Sequence, residues 1–219
     1  MFRSRQEIKA HAKSAMKAQW GTSIAVILVF VLVVMAGVLV AFPFLMRAPF
    51  VYMLIIWATI FFVDNPLVVN LEGVFIKIFN GERASVGELF SNLPVNYLRK
   101  VGGMAWMGLF TMLWTLLFFI PGIVKGIAYS MTPFILADCP NVTAKEALKL
   151  SMRMTKGHKM ELFVMYLSFI GWSMLGGLTF GILNIVFVNP YLYTTCAGYY
   201  VELKQRAIAS GEINAQELM

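Results

Sequence analysis

The apolar residues of this 219-residue chain fall into long blocks separated by short polar stretches. The blocks are about 15 to 25 residues long, close to the roughly 20 helical residues that cross a bilayer. Strands of a transmembrane barrel would instead alternate over about 10 residues, whereas residues 24–45 are continuously apolar. The pattern therefore predicts an all-α fold: a polytopic helical bundle in a membrane, formed as a single domain over residues 1–219.

Six spans, paired into helical hairpins at residues 22–63, 101–137 and 161–203, account for the blocks. The middle hairpin depends on Pro121-Gly122, which marks either an outer turn or a kink in one bent helix. With a turn, all of the 18 lysines and arginines except Arg47 and Lys125 fall on one side, whereas a kink would export the basic residues 145–159. The positive-inside rule favours the turn and places both termini in the cytoplasm.

The segments before, between and after the hairpins are expected on the cytoplasmic face. They are a basic amphipathic helix at 1–21, an interfacial segment at 64–100, a basic helix at 138–160 and a polar tail at 204–219. Asp64-Asn65-Pro66 should end the second span, because proline disfavours helix in the residue before it. The residues after it combine an apolar face with Asn70 and Glu72 elsewhere, which is typical of a helix lying on a membrane.

Two of these segments carry regular cation stripes. The first consists of Arg5, Lys9, Lys13 and Lys17, and the second of Lys145, Lys149, Arg153 and Lys156. Thr143 and Glu146 have the spacing of a capping box, which predicts that the second helix starts there. Each stripe is either an orientation signal or a surface for anionic lipid or for a membrane protein or peptide partner.

Composition supports the membrane assignment, with 59% hydrophobic residues, 13% charged residues and a mean hydropathy of +0.75. The net charge of +7 favours orientation and anionic lipid over nucleic acid in such a chain. Two cysteines, Cys139 and Cys196, give no disulfide framework.

A polar path is the alternative function, a small transporter or lipid-translocating protein. Prolines in spans free carbonyl groups that can line such a path. The residues that could face one cavity between the fourth and sixth spans are Lys125, Tyr129, Ser130, Asn189, Tyr193 and Tyr200. Lys125 is also explained as an anchor near the outer end of its helix, and the tyrosines as interhelical or interfacial groups.

Catalytic chemistry is not indicated. The chain has no phosphate-binding loop, no HExxH and no GxSxG, and His158 lacks a second ligand at helical spacing. We therefore expect no enzyme, no metal site and no cofactor.

The stretch LLFFIPGIVKGIAYSMTPFILAD, followed by EALKLSMRMTKGHKMELFVMYLSFIGW and NPYLYTTCAGYY, resembles the bacterial family called domain of unknown function 975. The resemblance covers residues 113–203 and implies a multispanning protein, found chiefly in Gram-positive bacteria, with no assigned reaction or cofactor. The expected function is therefore a nonenzymatic multi-pass protein of the bacterial plasma membrane, engaged with lipid or a membrane partner in envelope maintenance or peptide handling. The oligomeric state stays open.

Overall fold

The structure, a computed structural model, describes residues 3–218, and all regular elements in this range are helical. The α-helices are α1 (Arg5–Ala18), α2 (Trp20–Ala41), α3 (Pro49–Thr59), α4 (Asn65–Phe79), α5 (Glu88–Ser91), α6 (Tyr97–Leu117), α7 (Phe119–Tyr129), α8 (Thr132–Asp138), α9 (Ala144–Met154), α10 (Lys159–Leu178) and α11 (Asn189–Ala209). Short 3-10 helices lie at Phe42–Phe44 and Ala215–Leu218, and π-helical turns at Ile60–Asp64 and Asn184–Val188. The predicted all-α class is confirmed.

Within residues 3–218, four helical segments are long and apolar enough to cross a membrane: Trp20–Phe44, Pro49–Phe79, Phe119–Asp138 and Lys159–Leu178. Most of the apolar stretch faces outwards in the first, second and fourth segments, where 17%, 11% and 22% of it is buried, whereas 50% is buried in the third. The chain therefore has the helices of a membrane protein, as the sequence predicts. The predicted spans at 101–120 and 184–203 are not among these four segments.

The helix that begins at Pro49 continues past Asp64-Asn65-Pro66, so the predicted break there is wrong. The chain runs on as one helical segment to Phe79 because Ile60–Asp64 widens into a π-helical turn, in which Asn65 N–H donates to Ile60 O. The wider turn accommodates Pro66, which has no N–H to give to the helix. A second π-helical turn precedes Pro190 in the same way, with Asn189 N–H donating to Asn184 O.

Helix α4 lies at the centre of the protein and not on a membrane surface, which corrects the sequence expectation for residues 67–79. Leu67, Leu71 and Phe75 are at most 1% exposed, and the helix packs against α5, α6, α8 and α11. The face that was expected to meet lipid is covered by protein, because an apolar helical face does not specify which apolar surface it meets.

Helix α1 is corrected in the same way. Its apolar residues Ile8, Ala12 and Met16 are at most 2% exposed and pack within the protein, where α1 contacts α11 and α4. Ser4 and Glu7 form a capping box at its start, a signal that the sequence analysis overlooked. The capping box predicted at Thr143 and Glu146 is confirmed at the start of α9.

The helices repeat one order of elements three times. Each unit contains an amphipathic helix, an apolar hairpin and a buried helix with proline in its first turn. Unit 1 is α1 to α4 with Pro66, unit 2 is α5 to α8 with Pro133, and unit 3 is α9 to α11 with Pro190. Each unit also starts with a Ser/Thr-x-x-Glu sequence, at Ser4, Ser85 and Thr143. These two markers were available in the sequence, and the repeat was missed.

The units interlock because each amphipathic helix packs on the buried helix of the preceding unit. Helix α5 contacts α4, α9 contacts α8, and α1 closes the ring on α11. Ring stacking joins the buried helices, with 5.5 Å between the ring centroids of Phe75 and Tyr193 and the same distance between Phe134 and Tyr200. The core is therefore formed by all three units together.

The second hairpin reverses at Phe118, whose extended backbone (φ −154°, ψ 130°) separates α6 from α7. Gly122 faces Thr115 and Gly126 faces Thr111, so α6 and α7 run antiparallel. Pro121 lies in the first turn of α7, where a missing N–H is tolerated. The close approach of the two helices depends on the small residue at position 122.

We predict that Gly122→Ala destabilises the protein, whereas Gly126→Ala does not. A Cβ at position 122 would lie 2.7 Å from the Cα of Thr115, but a Cβ at position 126 would lie 3.7 Å from the nearest Thr111 atom. Overpacking of this kind lowers the free energy of unfolding by about 1–3 kcal/mol, while alanine at an uncrowded helical site gains up to about 1 kcal/mol over glycine. Thermal unfolding midpoints in detergent check this, and equal midpoints for the two variants would contradict it.

Candidate functional site

Buried polar groups around α4 form a network that is largely satisfied. Asn70 Nδ2 donates to the Leu89 carbonyl at 2.8 Å, and Lys100 Nζ donates to Asn70 Oδ1 at 2.6 Å. Lys100 also donates to the Asn92 carbonyl. Because both partners of Asn70 lie on other helices or loops, this network ties α5 and α6 to α4.

Glu72, two residues further along α4, is different. Its side chain is 6% exposed, and Oε2 has no hydrogen-bond partner. Electrostatic interactions connect it with Tyr166 of α10 and with Tyr193 and Cys196 of α11. The sequence analysis placed Glu72 on an outward polar face. The apolar residues on both sides of it in LVVNLEGVF were a signal that no face of this helix is polar.

Hydrogen bonds of Asp138 and Arg99 connect α8 with α11 and α6. Asp138 Oδ2 accepts hydrogen bonds from Tyr200 OH at 2.7 Å and from Lys204 Nζ at 2.5 Å. Arg99 donates to the carbonyl groups of Leu136, Cys139 and Val142, at 2.5, 2.9 and 2.6 Å. Carbonyl groups at the end of a helix lack intrahelical partners and attract cations, so Arg99 caps the carboxyl end of α8.

His158 pairs with Glu161 at 3.5 Å at the start of α10. Among residues 3–218, no group of three or more His, Cys, Asp or Glu side chains could hold a metal ion.

The six residues predicted to line one polar cavity fall in different places. Lys125 and Tyr129 line a groove between α6, α7 and α9. Ser130 donates to the Ile127 carbonyl, Tyr193 stacks on Phe75, Tyr200 stacks on Phe134, and Asn189 is the first residue of α11. Tyr193 and Tyr200 are packed on neighbouring rings, and a single cavity lined by all six residues stays a prediction.

The four cations of α1 are also divided. Lys9 Nζ donates to Ser168 Oγ at 2.7 Å and lies 4.7 Å from the ring centroid of Phe169. Arg5, Lys13 and Lys17 are exposed.

The tail, residues 204–219, forms ion pairs with the second half of the cation stripe on α9. Arg153 pairs with Glu217 at 2.5 Å and Lys156 with Glu212 at 3.7 Å. Hydrogen bonds from the Arg153 guanidinium lower the pKa of Glu217 to about 2. The tail is anchored by Ile213, which is 1% exposed. Lys145 and Lys149, the first half of the stripe, are exposed instead.

Lys145 and Lys149 line the same groove as Lys125. The groove has a volume of about 450 Å³, and its walls also include Trp106, Phe110, Trp114, Tyr129, Leu148 and Met152. Lys125 was expected near the opposite membrane face from α9, whereas the structure places it in one groove with Lys145 and Lys149 of that helix. Helix α7 has only 11 residues, about 16 Å at 1.5 Å per residue, so Lys125 stays within reach of α9. The rings of Trp106, Phe110 and Trp114 on α6 were not predicted to belong to a site.

Residues 103–207 match the model of the family described as protein of unknown function, DUF975. This match confirms the resemblance found in the sequence. The matched stretch runs from the second turn of α6 to the last turn of α11, so it contains the lysines of the groove, while α1 to α5 lie before it. A comparison with curated proteins and one with solved structures each gave no match.

We predict opposite stability effects for the two buried polar residues of α4. Asn70→Leu removes the partner of Leu89 O and one partner of Lys100 Nζ, which should lower the free energy of unfolding by about 1–3 kcal/mol. Glu72→Gln keeps the side-chain shape and removes a carboxylate with an unpartnered oxygen, so the thermal midpoint should stay equal or rise. Thermal unfolding in detergent at neutral pH measures both. A loss for Glu72→Gln as large as that for Asn70→Leu would show that the carboxylate has a stabilising partner.

Proposed function

We propose that this chain is a nonenzymatic multi-pass protein of the bacterial cytoplasmic membrane, and that its basic surface engages anionic lipid. The family match is to proteins described as of unknown function, so the nonenzymatic role is part of this proposal. The four apolar segments support residence in a membrane. The observation that carries the proposal is that Lys145 and Lys149 are exposed and are not held in ion pairs in the part of the chain that the structure describes.

These two lysines are exposed on α9, and none of the ion pairs among residues 3–218 includes either of them. The other two cations of the stripe already have carboxylate partners in the tail. A cation near a membrane that contains anionic lipid gains about 1 kcal/mol. Lys149 interacts electrostatically with Glu146, but neither Lys149 nor Lys145 is held in an ion pair within the described residues, so both remain available to an external anion, whereas Arg153 and Lys156 are paired with the tail.

The proposal predicts that two matched double variants behave differently. Lys145→Gln with Lys149→Gln should lower the preference for anionic over zwitterionic lipid by about tenfold or more, because two contributions of about 1 kcal/mol are lost. Arg153→Gln with Lys156→Gln removes the same formal charge from the same helix but should change the preference less. Native mass spectrometry of protein released from nanodiscs of phosphatidylglycerol and phosphatidylcholine counts the retained lipids.

Salt provides the control, since screening weakens contacts between exposed charges. The preference of the unmodified protein should fall as the salt concentration rises. Equal retention of both lipids by the unmodified protein at low salt would refute the proposed function.

We also propose the finer topology, in which three hairpins give six passages with both termini in the cytoplasm. The three-unit order of elements supports it, because every hairpin leaves and returns to the same set of buried helices. The cations support it too, since Arg47 lies at the tip of the first hairpin while the two stripes lie away from the tips.

Cysteine labelling in intact cells tests this topology. Met46 is 91% exposed at the tip of the first hairpin, and Phe180 is 99% exposed at the tip of the third. Met46→Cys and Phe180→Cys should react with an impermeant maleimide from outside, and Lys149→Cys only after the cells are permeabilised. The native cysteines are buried and provide a low background. A Phe180→Cys variant that is protected from outside would show that the third hairpin does not cross.

A further inference from the structure

The groove between α6, α7 and α9 combines an aromatic wall with a cationic rim. Trp106, Phe110 and Trp114 are four residues apart on α6, so they lie on one face of the helix. The rings of Trp106 and Phe110 are stacked, with 5.6 Å between their centroids. The volume of about 450 Å³ falls in the range of about 300–1,000 Å³ that is usual for small-molecule sites.

Two ammonium groups lie over this wall, and a third lysine lines the groove. Lys125 Nζ lies 4.9 Å from the ring centroid of Trp114, and Lys145 Nζ lies 5.1 Å from that of Trp106. Lys149 lines the groove beside them, and the lining contains no aspartate or glutamate. Cation–π contacts hold the lysines on the rings but do not neutralise them. The groove therefore has a positive charge that an occupant would balance.

The apolar wall is continuous with the outer surface of the second hairpin. Next to the groove residues, Leu113 and Leu116 of α6 and Val124 of α7 are exposed. In a membrane these side chains face the acyl chains of lipids. A molecule in the groove can thus keep its anionic part at the lysines and its chain against the rings and the adjoining apolar surface. A free inorganic anion would leave the aromatic wall unused.

The same combination occurs at the equivalent junction between units 3 and 1. There Lys9 of α1 lies 4.7 Å from the ring centroid of Phe169 on α10, and Phe169 contacts the ring of Tyr191 at 5.1 Å. Lys9 belongs to the amphipathic helix of unit 1 as Lys145 belongs to that of unit 3. Two of the three junctions therefore place a lysine of the amphipathic helix on the rings of an adjacent hairpin.

We infer that this groove binds one anionic phospholipid, with its phosphate between Lys125, Lys145 and Lys149 and an acyl chain along Trp106, Phe110 and Trp114. The inference rests on the proposed function and gives it a defined site. It adds a requirement that a general basic surface lacks: Lys125, which belongs to neither stripe, contributes to anionic lipid binding.

Photo-crosslinking in nanodiscs tests the site. A phosphatidylglycerol with a diazirine on its acyl chain should crosslink preferentially to residues 106–114 and 145–152, mapped by peptide mass spectrometry. The matching phosphatidylcholine probe should not show this enrichment. Lys125→Gln should reduce the phosphatidylglycerol crosslinks in the groove about fivefold, the effect of one lysine near an anionic lipid. Arg83→Gln, a change of an exposed cation outside the groove and outside both stripes, is the matched control and should leave them unchanged. Both variants should keep the thermal midpoint of the unmodified protein.

The outcomes separate this site from the broader proposal. If crosslinks are spread evenly over the exposed hairpins, or are unaffected by Lys125→Gln while Lys145 and Lys149 still determine lipid preference, the groove assignment is overturned and the proposed function stands. If neither probe nor variant reveals an anionic preference, both fail. Inorganic phosphate, compared with chloride at equal ionic strength, should not displace the lipid. Displacement by phosphate alone would make the groove a site for a free anion.

Discussion

A proline in the first turn of each central helix is the constraint on which the architecture depends. Pro66, Pro133 and Pro190 cannot donate a backbone hydrogen bond, so the apolar segment that returns from each hairpin cannot join a buried helix in regular α-helical geometry. In units 1 and 3 a π-helical turn before the proline takes up the irregularity. In unit 2 the helix breaks, and Ser151 of α9 accepts from Met131 N–H and donates to the Ala128 carbonyl. The break in unit 2 therefore depends on Ser151 of unit 3, and α9 packs against both α7 and α8.

Patterns formed by residues close together in the sequence predicted the helical class and one helix start correctly. The apolar blocks gave the helical class, and Thr143 with Glu146 gave the start of α9. Both depend on residues within a few turns of one another. The breaks at proline were harder, because the disfavoured backbone before Pro66 was relieved by a π-helical turn whose residues, IFFVD, have no distinctive composition.

The failures share a physical cause: an amphipathic pattern states that a face is apolar but not what covers it. Helices α1 and α4 were assigned to lipid and are covered by protein. The groove was missed for the same reason. Its lysines come from α7 and α9, with Lys125 and Lys145 20 residues apart in sequence, and three of its rings come from α6. The sequence does show a stripe of four cations on α9, but only the tail, folded back to place Glu212 and Glu217 on Lys156 and Arg153, makes the two halves of that stripe chemically different.

The closure of the three units into a ring affects how the protein is made. Helix α1 is synthesised long before α11, yet its apolar face packs on α11 as well as on α4, and Arg3 N–H donates to Glu202 Oε1 at 2.8 Å. Until translation has passed residue 202, α4 is available to that face but α11 is not, so the packing of α1 on α11 forms only when the third unit has been made. Closure of the ring therefore joins a helix of the first unit to a helix synthesised well over 100 residues later.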